Sequence, residues 1–261
     1  MSALALTVDL EPDWGMHGTR AYRRVTPRFL RFLEDRGFRA TFFVVSDLLD
    51  VSEDIVAGLG EAHEVASHGA SHALLSERSR EEATAELRYS RERLEAVAGP
   101  VEGFRAPFFR RRNDLTRLLR AAGYRYDASL GSVYPGPHNR RLHGLQCPYR
   151  QDGFWEFPTS AMCGGLFPFS LTWLRLLGPI PPGQMPRSAK LMYLHLHEFL
   201  PAETASCLPT HLRRLLTRNC GERAWGILDR ALDTLGGELT TCRSILEAAE
   251  QGARKKGENR G

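Results

Sequence analysis

No two cysteines in this 261-residue chain stand in a C-x-x-C spacing. The five that occur (Cys147, Cys163, Cys207, Cys220 and Cys242) are odd in number and widely separated. They point to neither a disulfide framework nor a cysteine zinc site, and reduced thiols are expected. Long apolar runs are missing too, so no membrane span is expected. The apolar start, Met1 to Asp9, is too short for a signal peptide and lacks a basic n-region. A cytoplasmic location is the expectation that follows. A sustained basic stripe is also absent. The net charge of +4 is spread along the chain, apart from Arg110-Arg111-Arg112 and a short tail with Arg254, Lys255, Lys256 and Arg260. A nucleic-acid partner is therefore not expected, and no internal repeat is visible.

What is present is an ordinary globular composition, 42% hydrophobic and 25% charged, in a chain long enough for one large α/β domain. Leu4 to Val8 reads as a buried parallel strand that runs into Asp9. Thr26 and Pro27 open a helix with Phe29, Leu30 and Leu33 on one face, closed by Gly37. Ala40 to Val45 is a second buried strand, and a third lies near His63 to Ser67. Ser79 to Ala98 has helical spacing and stops at Gly99-Pro100. Short strands are expected at Gly103 to Pro107 and Tyr124 to Ala128, with a helix from Leu115 to Ala122 between them. Residues 131–190 break this rhythm with Pro, Gly and aromatics and read as an inserted, elaborated loop region with a few short strands. Leu191 to Leu196 resumes as a strand, followed by helices near 209–218, 223–235 and 243–249. The spacing predicts parallel βα units in a single domain over 1–250, with a flexible basic tail over 251–261.

The polar residues fall at predicted strand ends, where barrels of parallel strands build their sites. Asp9, Glu11 and Asp13 alternate, and residues two apart in extended chain point the same way. His68 and His72, four apart, can converge on one metal from a helical turn or a tight loop. Arg105 ends another strand, where it would hold a neighbouring carboxylate ionised. Asp127 ends a further one. His195 and His197 share a face only if the strand runs through both.

Five short motifs in order then resemble the polysaccharide deacetylases of carbohydrate esterase family 4, whose shared region is the NodB homology domain. They are Thr-Val-Asp-Leu-Glu (7–11), Arg-Ala-Thr-Phe-Phe-Val (39–44), Ser-His-Gly-Ala-Ser-His (67–72), Phe-Arg-Ala-Pro (104–107) and Tyr-Leu-His (193–195). The resemblance implies an α/β fold, a distorted (β/α) barrel of about seven strands. It implies Asp9 as general base, His68 and His72 as ligands of a divalent metal, usually zinc, Arg105 as the residue orienting the base, and His195 as the acid. Asp127 is loosely matched to the residue that tunes that histidine. Leu10 stands where the family commonly has its second aspartate. A branch that spaces its acids by one residue makes Glu11 the third ligand, with Asp13 in reserve. Phe108-Phe109 replaces the usual glycine after the arginine motif, and His197-Glu198 is similar to a branch with His-Pro-aromatic-Glu there.

The expected activity is metal-dependent hydrolysis of an N-acyl group, N-acetyl by preference, from an amino sugar in a polysaccharide or a nucleotide- or lipid-linked precursor. That is a hydrolase of carbon–nitrogen bonds other than peptide bonds. A deformylase of a lipid-linked formamido sugar and a catalytically silent glycan-binding barrel are the competing readings. The aromatics of the insertion (Trp155, Phe157, Phe167, Phe169, Trp173) read as core or as a sugar cleft, and the run Leu166 to Ile180 as a shallow peripheral membrane contact.

Overall fold

Strand β1 (Leu4–Leu10) is buried at all seven positions, as its nearly unbroken apolar run requires. It lies in a nine-stranded sheet of the computed structural model, which describes residues 3–15, 18–131, 147–178, 180–186 and 191–258, with backbone alone at 182 and 254–258. The other strands are β2 (Thr41–Val44), β3 (Glu64–Ser67), β4 (Gly103–Phe104), β5 (Tyr126–Asp127), β6 (Tyr149–Gln151), β7 (Phe154–Glu156), β8 (Ala161–Met162), β9 (Phe167–Pro168), β10 (Leu191–His195) and β11 (Leu239–Thr240). Their order is β10-β1-β2-β3-β4-β5-β7-β6, with β11 also paired to β1 and β8-β9 forming a separate ribbon. All pairings along the main sheet are parallel except β6 with β7.

The sheet curls until its ends are bridged. After β7 the chain crosses inward, with Thr159 N donating to Leu130 O (2.8 Å) and Ser160 N to Leu191 O (3.1 Å) at the edge of β10. The α/β barrel-like fold expected from the sequence is therefore the fold observed. The boundary of the insertion differs. Phe154–Glu156, a short strand of the kind expected in this region, pairs in parallel with β5 and so belongs to the main sheet. Phe157 and Phe169 are fully buried core residues. The part of the expected insertion at 132–146 lies outside the described residues.

Helices α1 (Arg20–Arg24), α2 (Thr26–Asp35), α3 (Leu49–Ala62), α4 (Arg80–Ala98), α5 (Leu115–Ala121), α6 (Leu171–Leu177), α7 (Thr210–Leu216), α8 (Glu222–Leu235) and α9 (Cys242–Glu258) accompany the sheet. The start of α4 is set by a reciprocal cap: Ser79 Oγ accepts from Glu82 N and Glu82 Oε2 from Ser79 N. The last helix continues past Ala249 to Glu258, into the segment expected to be a flexible tail. No described helix is long and apolar enough to cross a membrane, and all five cysteines are free.

Alternation along β1 divides the core. Leu4, Leu6, Val8 and Leu10 face the helices, whereas Ala5 joins Phe43, Ala66, Tyr126 and Phe157 in the interior cluster. Close strand packing inside requires Gly103, since a Cβ there would lie 1.9 Å from the Tyr126 ring. At the bottom, the N-terminus of α9 plugs the barrel: Cys242 N donates to Thr41 Oγ1 and Arg243 N to Glu64 Oε2. The top edge is left for polar side chains.

Candidate metal-dependent active site

Thr7 and Asp9 face inward from β1, and Glu11 follows them just past the end of the strand. Glu11 Oε2 lies 2.7 Å from His72 Nε2 and 3.5 Å from His68 Nε2. These three offer ligand atoms that all lie within 4.8 Å of one another, which makes a two-histidine, one-carboxylate set. His68 Nδ1 sits 2.8 Å from Arg105 O. With that nitrogen donating to the carbonyl, Nε2 carries the lone pair that faces Glu11. His72 Nε2 is buried yet makes no aligned hydrogen bond. A divalent cation fits this donor set: a buried, orphaned imidazole nitrogen, a second one with its tautomer fixed, and a carboxylate.

The histidines come together through a tight loop, not a helical turn. Gly69 takes φ +80°, which frees the chain to turn back at once after β3. Glu86 of α4 then pins the loop, its Oε1 accepting from Ala70 N, Ser71 N and Ser71 Oγ at 3.3–3.5 Å. His72 itself has φ +60°, as do Trp14 (60°), Phe108 (56°) and Phe109 (55°) nearby. Each costs about 1–3 kcal/mol for a bulky residue, and such strain gathers where the surrounding structure fixes a site. Phe108 shows why: its ring lies 4.7 Å from that of His72 and remains exposed at the rim.

Asp13 is not part of this set. Its carboxylate accepts from Arg20 N (2.8 Å) and Ala21 N (3.1 Å) and so satisfies the first amides of α1. The choice between Glu11 and Asp13 is decided by geometry in favour of Glu11. Burial would push the Glu11 carboxyl up, but His195, His68 and His72 outweigh it and hold it well below the usual carboxylate range.

Asp9 is held from the barrel interior. Arg105 Nη1 donates to Asp9 Oδ1 at 2.5 Å, Nη2 to Thr7 Oγ1 at 3.0 Å and Nε to Ala128 O at 3.2 Å. The guanidinium is inaccessible and sits 4.1 Å above the Phe43 ring. Asp9 Oδ2 is left facing His195 Nε2 at 3.7 Å.

His195 ends β10 and pairs in register with Asp9. Its tuning partner is Glu198, not Asp127. Glu198 Oε1 accepts from His195 N (3.0 Å) and faces Nδ1 at 3.3 Å, while Oε2 accepts from Arg175 Nε at 2.7 Å. Burial alone would depress the His195 imidazolium, but Glu11, Glu198 and Asp9 raise it to about 9. Burial would likewise raise Glu198, and Arg175 and His195 bring it down to about 2. A turn of 3-10 helix follows β10, yet the His197 ring still stacks on His195 at 4.9 Å, with Trp14 at 4.6 Å. Burial and the His195 charge lower His197 to about 4, so it stands neutral beside its charged neighbour.

Asp127, expected beside His195, is held elsewhere. Ser129 N and Oγ both donate to its Oδ1, and Arg111 Nε lies 3.1 Å from Oδ2. It ends β5, on the other side of the barrel from β10, which is why the loose alignment misplaced it. Arg175 was missed, and Glu198 was noted only within the His197-Glu198 likeness, with no role given to it. Arg175 lay inside an apolar run, with no signal apart from its charge; Glu198 had one signal, the His-x-x-Glu spacing from His195.

Residues 2–126 match the family model described as polysaccharide deacetylase. The match spans 125 of the 261 residues. It contains Asp9, Glu11, His68, His72 and Arg105 but ends before His195 and Glu198. The family is one of hydrolases acting on carbon–nitrogen bonds other than peptide bonds, the enzyme class expected of the chain. No curated protein matches the chain in sequence. Among solved structures, a Mycobacterium smegmatis protein provisionally described as a polysaccharide deacetylase is similar over 97% of this chain and 91% of its own, at 19% identity and TM-score 0.65. The peptidoglycan deacetylase PdaC of Bacillus subtilis matches 99% of this chain and 96% of its own, at 16% identity and TM-score 0.53. A family pseudoenzyme of Bacillus anthracis matches 94% of this chain and 65% of its own, at 13% identity and TM-score 0.54. At these identities the likeness is one of fold.

Proposed function

We propose that this chain removes the N-acyl group, N-acetyl by preference, from an amino sugar by metal-dependent hydrolysis. One observation carries the reading: the Glu11–His68–His72 set is flanked by two separately held proton carriers, Asp9 and His195. Glu11, His68 and His72 would hold the ion, and their mixed nitrogen and oxygen donors suit zinc. A divalent cation there supplies polarisation of the acyl carbonyl and a more acidic water.

The residues do the rest. Asp9, fixed through Oδ1 by Arg105, keeps Oδ2 free to take a proton from the attacking water. His195, fixed through Nδ1 by Glu198, keeps Nε2 free to give a proton to the departing amine nitrogen. The two open atoms are 3.7 Å apart, so both reach one tetrahedral carbon and its substituents. The exposed Phe108 ring and the half-buried His195 mark the side from which substrate enters.

Simple glycan binding has no use for a base and an acid fixed on either side of an ion site, so the silent reading is disfavoured. The Bacillus anthracis pseudoenzyme makes the distinction worth testing. Zinc-loaded protein is incubated with N-acetylglucosamine oligomers and with nucleotide- and lipid-linked N-acetyl and N-formyl amino sugars, and amine release is followed. Turnover that is lost on chelation and regained with zinc is expected. Absence of turnover on every acylated amino sugar, with zinc bound, would overturn the reading.

A further inference from the structure

A groove of about 610 Å³ lies between α6 and α8, away from the metal-ligand set. Its floor is apolar, with Leu174, Ile180, Met185 and Ile227, and Arg223 and Arg230 stand at its edge. That volume is in the range of a ligand cleft. Helical spacing sorts α8 into two faces. Asp229 and Asp233 are consumed by Arg36 on one side, while Arg223, Ile227, Arg230 and Thr234 turn toward the groove on the other. Glu222, also at the groove, is paired with Arg28.

The adjoining surface has the same character. Helix α7 buries none of its residues, and Leu212 and Leu215 are 40% and 53% exposed. Leu177, at the end of α6, is 40% exposed. Between Glu203 and Glu222 the sequence contains no acid, but it has Arg213, Arg214 and Arg218. Among the described residues none of these three, nor Arg223 or Arg230, forms an ion pair. Arg24, Arg31, Arg39 and Arg88 elsewhere on the surface are likewise outside ion pairs among the described residues, so what sets this face apart is the apolar groove and the exposed leucines beside its arginines. Five uncompensated guanidinium groups beside an apolar groove and exposed leucines complement an amphipath with a negative head and a long apolar tail.

We infer that the α6–α7–α8 face docks on an anionic lipid bilayer, with the groove taking an acyl chain and the arginines its phosphate heads. The surface is mechanically tied to the catalytic end. Leu174 lines the groove, and the next residue, Arg175, points the other way to Glu198. Arg175 Nη1 also donates to Leu216 O (3.1 Å), the last carbonyl of α7, and to Arg218 O (2.6 Å) just beyond it. Asn219, on the groove wall, donates to Arg175 O. A chain bound here would therefore present the His195 side of the site at the headgroup level. This deepens the expected membrane contact of residues 166–180 by giving it a charged partner in α7 and α8, and it does not depend on the substrate assigned above.

The test is co-sedimentation of the full-length protein with phosphatidylglycerol-containing vesicles and with pure phosphatidylcholine vesicles. Binding to the former alone, weakened by salt, is expected. Arg223→Glu with Arg230→Glu should reduce the bound fraction at least about tenfold, and Ile227→Asp should do so without changing surface arginines. Arg24→Glu with Arg88→Glu, on other faces, should leave binding intact, and thermal melts establish that each variant is folded. Wild-type protein that ignores phosphatidylglycerol, binds both vesicles equally, or loses nothing in the Arg223/Arg230 variant overturns the proposal. Since sedimentation needs no turnover, its outcome is separate from that of the deacetylation assay.

Discussion

Two buried arginine–carboxylate pairs stand on either side of the metal-ligand set and are built to opposite ends. Arg105 binds one oxygen of Asp9 and spends its other nitrogens on Thr7 and Ala128, so Asp9 keeps a free oxygen toward His195. Arg175 binds one oxygen of Glu198, and the other is taken by the His195 backbone amide and ring. Glu198 has no lone pair pointing at substrate. The same pair of side-chain types thus makes a proton acceptor on one side and an orienting group on the other. What differs is how many carboxylate oxygens the scaffold leaves open.

Breaking the comparison at its open oxygen should have the largest effect. Asp9→Asn retains the shape and the Arg105 contact but removes the base. The expected loss in kcat is about 10²- to 10⁴-fold with zinc content unchanged, measured by turnover and metal analysis on the same preparation. Arg175→Met comes next and acts on stability. It leaves Glu198 buried with only His195 to offset its charge, a cost of up to about 3–5 kcal/mol that denaturant unfolding would register. Glu198→Gln is milder, with roughly a 10- to 100-fold loss in turnover. It also carries a pH signature. The Glu198 charge helps to raise His195 to about 9, and activity that needs protonated His195 falls as pH rises through that value. Without the charge, the decline should begin at lower pH. An unmoved alkaline limb would show that Glu198 is only a packing partner.

How much of this was legible follows the same division. The Asp9 side sits on β1, β3 and β4, where short buried strands end directly in polar residues; strand-end position with period two drew attention to Asp9, Glu11, Asp13, His68, His72 and Arg105, and the family resemblance supplied the roles expected of them. These are also the residues inside the matched segment 2–126. The His195 side depends on partners brought from α6 and the turn after β10. Arg175 lies in Leu171–Leu177, an apolar helix in which nothing local says that its charge is buried against a glutamate 23 residues on. Asp127 was misread because strand-end position says a residue is on the top edge but not which neighbour it meets. Short strands were expected among residues 131–190, but Phe154–Glu156 was not placed in the main sheet because three residues are too few to show a period. Glu86, which pins the histidine loop, looked like any surface acid on an exposed helix.

A third arginine sharpens the contrast with the smallest expected effect. Arg111 lies between Asp127 (3.1 Å) and Glu156 (3.0 Å), which stand in register on β5 and β7, so one guanidinium serves two buried acids. Burial and the neighbouring Asp127 charge push Glu156 up to about 8, against the pull of Arg111. Its Oε2 is buried with no hydrogen-bond partner among the described residues, as expected of a carboxyl that carries the proton. A folded value above the unfolded one makes a contribution that is fully present below the unfolded pKa, near 4.5, and is lost as pH rises through about 8. Glu156→Gln keeps the neutral shape and cannot ionise. Its stability relative to the wild type should rise across that window when thermal or denaturant midpoints are compared at pH values from 5 to 8. A constant gap would mean that Glu156 is ionised throughout. The pull of Arg111 on Glu156 would then outweigh burial and the Asp127 charge.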